Sequence, residues 1–148
     1  MNLFDPVSAI MSKQLVTASE NDPINLLGEL FEKNNIHHVL ITKGGKFSGI
    51  VSKSDYLLFN RTSSAENNEE TNEERLKSHH ISEIMTYACA TLQSDEKITI
   101  ALELFRENIF RALPILESDN LVGIVTPLDI INRLAQDKEA VSEYNLKD

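Results

Sequence analysis

Two short runs of this chain place a hydroxyl three residues before a carboxylate: Ser52-Lys53-Ser54-Asp55 and Thr126-Pro127-Leu128-Asp129. A carboxylate carries two acceptor oxygens for incoming donors. A hydroxyl beside a helix N-terminus adds a donor where unpaired backbone N–H groups and the helix dipole already favour an anion. The same spacing is close to a capping box, which needs no ligand. The two roles are compatible. Pro127, at a first helical position, supports the cap and removes one donor. The residues before a short apolar run in each half are His37-His38 and Arg111-Ala112. The Arg111 guanidinium can fork onto a phosphate, and His37 offers a pH-sensitive imidazole contact. Their plainer reading is a surface cation and a half-buried imidazole pair.

Other reactive residues do not converge. His37-His38 and His79-His80 are adjacent pairs, which share no helix face and point to opposite sides of a strand, so neither chelates a metal readily. His79-His80 reads as linker surface. Cys89 reads as a small buried hydrophobe in an early strand, Tyr87-Ala88-Cys89-Ala90, because no base is placed beside it. Gly44-Gly45 reads as a hairpin turn, since no Lys-Ser/Thr follows at phosphate-loop spacing. No catalytic constellation emerges, and the expectation is a protein without enzymatic activity.

The elements that carry these residues occur twice. Met11 and Met85, Gly49 and Gly123, and Asp55 and Asp129 all stand 74 residues apart. The same offset, without gaps, aligns Ile10 with Ile84, Thr17 with Thr91, Ile24 with Ile98, Leu30-Phe31 with Leu104-Phe105, and Gly49-Ile50-Val51 with Gly123-Ile124-Val125. Such internal repetition marks one supersecondary unit used twice. In the first copy Asp22-Pro23 is expected to open a helix, Asp as N-cap and Pro at the first helical position. Ile24, Leu27, Leu30 and Phe31 follow at helical spacing. The runs His38–Ile41 and Phe47–Val51, and likewise Leu113–Leu116 and Leu121–Val125, are bounded by turn residues and read as hairpin strands. A second helix begins near Asp55 and near Asp129. The predicted unit is strand–helix–strand–strand–helix, an α/β arrangement. Its boundaries are 7–60 and 81–136, with an acidic polar linker at 61–80, read as a mobile loop or a solvated helix extension, and a polar tail at 137–148. Val141 and Tyr144 could dock that tail. Units of about 50 residues fall below the size at which one core suffices, so two are expected to pack around a pseudo-twofold axis.

Bulk properties narrow the function. Hydrophobic residues make up 41% and charged residues 25% of the 148, ordinary values for a folded chain. No apolar run approaches the roughly 20 residues that span a bilayer. The first residues lack the basic and apolar regions of a signal peptide. A single cysteine agrees with a reducing compartment, so a cytoplasmic location is expected. A formal net charge of −9 argues against a nucleic-acid polymer as partner, because such binding depends on Lys and Arg displacing counterions. It does not exclude a small phosphorylated ligand held by a local cluster of donors.

The segments Gly49-Ile50-Val51-Ser52-Lys53-Ser54-Asp55 and Gly123-Ile124-Val125-Thr126-Pro127-Leu128-Asp129, with Ile84-Met85-Thr86 and Leu113-Pro114-Ile115, resemble the signature of cystathionine-β-synthase-type (CBS) domains. The resemblance runs from about Val7 to Leu134. It implies a stand-alone pair of such domains, a Bateman module, that regulates and catalyses nothing. It further implies an adenosine-containing ligand (AMP, ADP, ATP or S-adenosylmethionine) in clefts between repeats, and no required cofactor. Asp55 and Asp129 then hold the ribose, and Ser52 and Thr126 lie on the phosphate side. Lys53, Ser54, His37, His38 and Arg111 complete the expected set. Leu40 stands where the family usually has the proline present here as Pro114. A separate effector protein is implied as partner, and a homodimer through Leu57, Leu58, Ile131 and Leu134. The rival expectation is a ligand-free interaction adaptor in which the signature is only a cap.

Overall fold

The structure is a computed structural model that describes residues 1–62, 71–87 and 89–136. Most of the acidic run and the whole tail, Val141 and Tyr144 included, lie outside the described residues. The chain forms two compact units. One is continuous, Leu15–Cys89; the other joins Met1–Gln14 to the residues from Ala90 onward.

In the continuous unit the order is β1 (Thr17–Ser19), α1 (Asn25–Asn34), β2 (His38–Lys43), β3 (Lys46–Ser52), α2 (Lys53–Thr62) and α3 (Asn72–Ser78). The split unit repeats it as β4 (Leu92–Gln93), α4 (Ile98–Arg106), β5 (Leu113–Glu117), β6 (Asn120–Val125) and α5 (Pro127–Gln136). Each sheet has three strands, a parallel pair bridged by the helix and an antiparallel hairpin: β1-β2-β3 and β4-β5-β6. The expected strand–helix–strand–strand–helix unit is therefore present twice. Both hairpins turn on two residues with positive φ, Gly44 (57°) and Gly45 (80°) or Ser118 (47°) and Asp119 (67°). That geometry matches the right-handed twist of the paired strands. Val39, Leu40, Ile41, Val51, Leu113, Ile115 and Val125 are fully buried, as continuous apolar strand runs should be.

Neither core is closed by its own repeat. The core around Phe31, Val39 and Val51 also contains Leu76, Ile81 and Met85, which precede the second repeat's first strand. The core around Ile98, Leu113 and Val125 contains Val7, with Met1, Ile10 and Met11 packed against it. Each repeat's leading segment thus completes the unit built on the other repeat's hairpin. We call it a strap. Thr86 pairs with Ile50 through backbone bonds of 2.9 and 3.1 Å, and Ser12 pairs with Ile124 through 2.9 and 3.1 Å. The recurring glycines lie under these crossings. A Cβ on Gly49 would stand 2.6 Å from the Thr86 carbonyl oxygen, and one on Gly123 would run into the Met11 thioether. Packing elsewhere compensates between units: Gly28 lies beneath the Tyr56 ring, whereas the matching positions are Leu102 and Ile130.

Four expectations change at this level. Asp22 does not cap α1: the N-cap is Ile24, whose N–H donates to the His79 carbonyl at 3.0 Å, while the Asp22 carboxylate accepts from Ser19 N at 2.8 Å. The strap supplies the acceptor that the carboxylate was expected to provide, and Asp5 O does the same for Ile98 N at 3.0 Å. The segment read as polar linker includes α3, capped by Thr71 and Glu74, with Leu76 buried and Arg75 4.3 Å above the Phe59 ring. His79 is not loose surface either. Its ring meets Phe59 edge-on at 5.5 Å, and its Nδ1 lies 2.9 Å from Glu83. Cys89 is half-buried and precedes β4, and burial pushes its thiol up. Glu20 is the buried carboxylate among the described residues. It is ion-paired with Lys43 at 2.9 Å and accepts from Ser48 Oγ at 2.9 Å, and these partners hold it below the usual carboxylate range.

If the straps are core rather than linker, Ile81→Ala in the full chain should cost about 2–5 kcal/mol, the range for buried aliphatic truncation. The exposed Glu32→Ala control in α1 should fall within about 0.5 kcal/mol of wild type. Urea unfolding measures both; equal, small effects would exclude the strap from the core.

Candidate ligand-binding site

β3 runs directly into α2, and β6 into α5 across Thr126, so each hydroxyl–carboxylate run sits at a strand-to-helix corner. Hydrophobic strand residues end at Val51 and Val125, both fully buried, which fixes where the chain must turn. In the first corner Asp55 Oδ2 accepts from Ser52 N at 2.8 Å and from Ser52 Oγ at 2.7 Å, while Asp55 N donates back to Ser52 Oγ at 3.1 Å. In the second, Asp129 Oδ2 accepts from Thr126 N at 2.7 Å and from Thr126 Oγ1 at 2.7 Å. There Asp129 N donates to the Thr126 carbonyl at 3.1 Å. The first corner is thus a reciprocal capping box with Asp in place of Glu, and the second shares its carboxylate half.

Both carboxylates are half-buried, and every bond they make from the described residues ends on Oδ2. Oδ1 keeps its acceptor capacity for an outside donor. Each hydroxyl has one hydrogen, and it is directed at the carboxylate. For Ser52 or Thr126 to meet an anion, that hydrogen must leave Oδ2, which then also becomes available. Offering both oxygens to a diol and turning the hydroxyl outward are one rearrangement.

The basic residues sit at the same sheet ends. His38 pairs with Ser52 across the hairpin, and Lys53 N donates to the His37 carbonyl at 2.8 Å. The backbone therefore brings His37, His38, Ser52, Lys53, Ser54 and Asp55 to one corner. His37 and Ser54 are exposed, and His38 and Lys53 are half-buried. In the split unit Leu113 pairs with Val125, so the exposed Arg111 lies where the strand leads toward Thr126 and Pro127. Pro127 has no N–H to repeat the Lys53 bond. Ile109 and Leu128 are the exposed large apolar residues nearest Arg111 and Asp129 in sequence, at 73% and 61% exposure. Ile109 was not singled out from the sequence, because the matching position in the first repeat is the polar Asn35.

Among the described residues no group of three or more His, Cys, Asp or Glu side chains could hold a metal ion. No described helix is long and apolar enough to cross a membrane.

The family described as CBS domain matches the chain twice, over residues 7–60 and 81–136. A CBS domain-containing protein of Dictyostelium discoideum is 27% identical over 137 residues, covering 91% of this chain and 94% of its own length. Among solved structures, AcuB of Vibrio cholerae superposes with a TM-score of 0.74 at 23% identity, covering 95% of this chain and 97% of that one. CBSX2 in complex with AMP superposes with a TM-score of 0.73 at 18% identity, covering 90% and 98%. At such identities the structural likeness speaks for the fold.

The cap and the ligand role are separable. Asp55→Ala or Asp129→Ala should lower stability by about 0.5–2 kcal/mol through loss of the cap. Asp→Asn, which keeps an acceptor oxygen, should cost less than Asp→Ala at either corner. Chemical denaturation of the four variants reads this directly, and an Asn variant as unstable as its Ala counterpart would contradict it.

Proposed function

The chain belongs to the CBS domain family, and on that premise we propose that it is a regulatory sensor that binds an adenosine-containing ligand at its strand-to-helix corners and signals to a separate effector protein. The observation that carries this reading is the corner geometry itself. Twice in one chain, a half-buried aspartate keeps one oxygen without a donor among the described residues and the other within a hydroxyl's reach. A ribose 2′,3′-diol supplies the two O–H donors that such a carboxylate accepts. The 5′ substituent then lies toward Ser52 or Thr126, the helix N-terminus, and the basic residues His37, His38, Lys53 or Arg111. AMP, ADP, ATP and S-adenosylmethionine share this diol, and the AMP complex of CBSX2 supports the class.

Regulation follows from linkage. A ligand shifts an equilibrium only through its differential affinity for two arrangements. Here the local arrangements are the hydroxyl turned onto Oδ2 and the hydroxyl turned outward, and the ligand favours the second. No catalytic step is assigned to the chain: its carboxylates are committed as caps, and the proposed ligand is bound rather than converted. We place the protein in the cytoplasm as a homodimer. The exposed Leu57 and Leu58 of α2 and Ile131 and Leu134 of α5 provide apolar surface for a second copy.

Thermal unfolding against AMP, ADP, ATP, S-adenosylmethionine and guanosine is the decisive test. A ligand at a hundred times its Kd adds about 2.7 kcal/mol, which raises the midpoint of a chain this size by several degrees. A shift with an adenosine compound that is lost in Asp55→Asn or Asp129→Asn is expected. No shift with any of them would leave the ligand-free adaptor, with the signature acting as a cap alone. Sedimentation of the chain should give a dimer that Leu58→Glu with Ile131→Glu converts to monomer; an unchanged mass would remove those helices from the interface.

A further inference from the structure

Although they share the aspartate and the hydroxyl, the two corners differ in what surrounds them. At the first, Lys53 opens α2, Ser54 is exposed beside it, and His37 and His38 lead into β2 against Ser52 and Lys53. The Lys53 N–H bond to the His37 carbonyl, 2.8 Å, holds these two basic residues side by side. At the second, the equivalents of Lys53, Ser54 and His38 are Pro127, Leu128 and Ala112. Leu128 is 61% exposed, Ile109 is 73% exposed, and Arg111 is the cation at this sheet end.

We infer that the two corners select different degrees of phosphorylation: the Ser52–Asp55 corner takes a polyphosphorylated adenosine, and the Thr126–Asp129 corner an adenosine with one phosphate or an uncharged 5′ end. This rests on the adenosine reading above. A chain of phosphates needs several donors spread along it, and the Lys53 ammonium, the Ser54 hydroxyl and the His37 imidazole provide them. Lysine is a flexible point charge that can follow successive phosphates. The guanidinium of Arg111 is a planar fork suited to one phosphate held by two parallel bonds. Beyond that group, further phosphates would be desolvated against Pro127, Leu128 and Ile109 without compensating bonds, which is costly for charged groups. The residues that set selectivity are therefore Lys53 with His37 on one side, and Leu128 with Arg111 on the other. They differ between repeats although the aspartates do not.

Calorimetric titration of the full chain with adenosine, AMP, ADP and ATP, at fixed ionic strength and without divalent cation, tests this in two single-corner variants. In Asp129→Asn, which leaves the first corner intact, affinity should rise with each phosphate, by about tenfold or more from AMP to ATP, an effect of the size that one charge-assisted contact carries. Lys53→Gln in that background should flatten the series. In Asp55→Asn, AMP should bind at least as tightly as ATP, and Leu128→Lys should raise ATP affinity relative to AMP. The same phosphate dependence in both variants, or the reverse order, would overturn the inference while leaving adenosine binding in place. Failure of all four compounds to bind wild type would overturn this inference, and failure of S-adenosylmethionine as well would overturn the adenosine reading with it.

Discussion

The contact on which everything else rests is the crossing of a backbone strap over a glycine. β3 and β6 are the outer strands of three-stranded sheets, and an outer strand presents unpaired N–H and C=O groups. Thr86 at Ile50 and Ser12 at Ile124 take up those groups. The crossing is close enough that Gly49 and Gly123 leave no room for a side chain. The strap then delivers Met85, Ile81 and Leu76 to one core and Met11, Ile10 and Val7 to the other. A repeat of this size cannot bury enough surface by itself. Borrowing a strap adds apolar burial at about 25 cal/mol per Å² without lengthening the sheet. The same strap carbonyls, His79 and Asp5, cover the first amides of α1 and α4. One segment therefore closes the core, satisfies the edge strand and caps a helix.

The corners inherit their precision from this arrangement. The outer strand is held from one side by the hairpin partner and from the other by the strap, two to four residues before the turn into α2 or α5. The cap then fixes the aspartate by two donors converging on one oxygen. A carboxylate in the first helical turn faces the positive end of the helix dipole, and the convergent donors fix its orientation. The cap contributes on the order of 1 kcal/mol, small beside the stabilisation a bound ligand supplies, so exchanging the hydroxyl's partner is within a ligand's reach.

What could be read from the residues divides along physical lines. The repeat, its element order and the two-residue hairpin turns were legible, because periodicity and turn residues are local. The hydroxyl–carboxylate runs were legible as both cap and ligand candidates, and the structure realises the cap in each. The exchange of straps was not legible. An ungapped repeat makes Met11 and Met85 equivalent, and nothing in their type says that Met11 serves Gly123 and Met85 serves Gly49. For the same reason Asp22 looked like the cap of α1: only the strap shows that the His79 carbonyl already occupies that amide. α3 escaped because its single buried residue, Leu76, sits among charges. The Arg75 contact that anchors it to Phe59 joins residues 16 positions apart across a polar stretch.

Duplication explains why the two corners can diverge at all. The aspartate, the preceding hydroxyl and the glycine are tied to backbone geometry that both units need, so changing one costs stability in its own unit. The intervening pair, Lys53-Ser54 or Pro127-Leu128, and the residues leading into β2 or β5 carry no such burden. Pro127 fits a first helical position whose N–H is unpaired within the helix, and Leu128 extends into solvent. Such positions drift freely in stability terms, yet they border whatever the aspartate holds. On the proposed reading, a duplicated cap preserves the shared recognition of a diol while its flanks set what each copy accepts beside it.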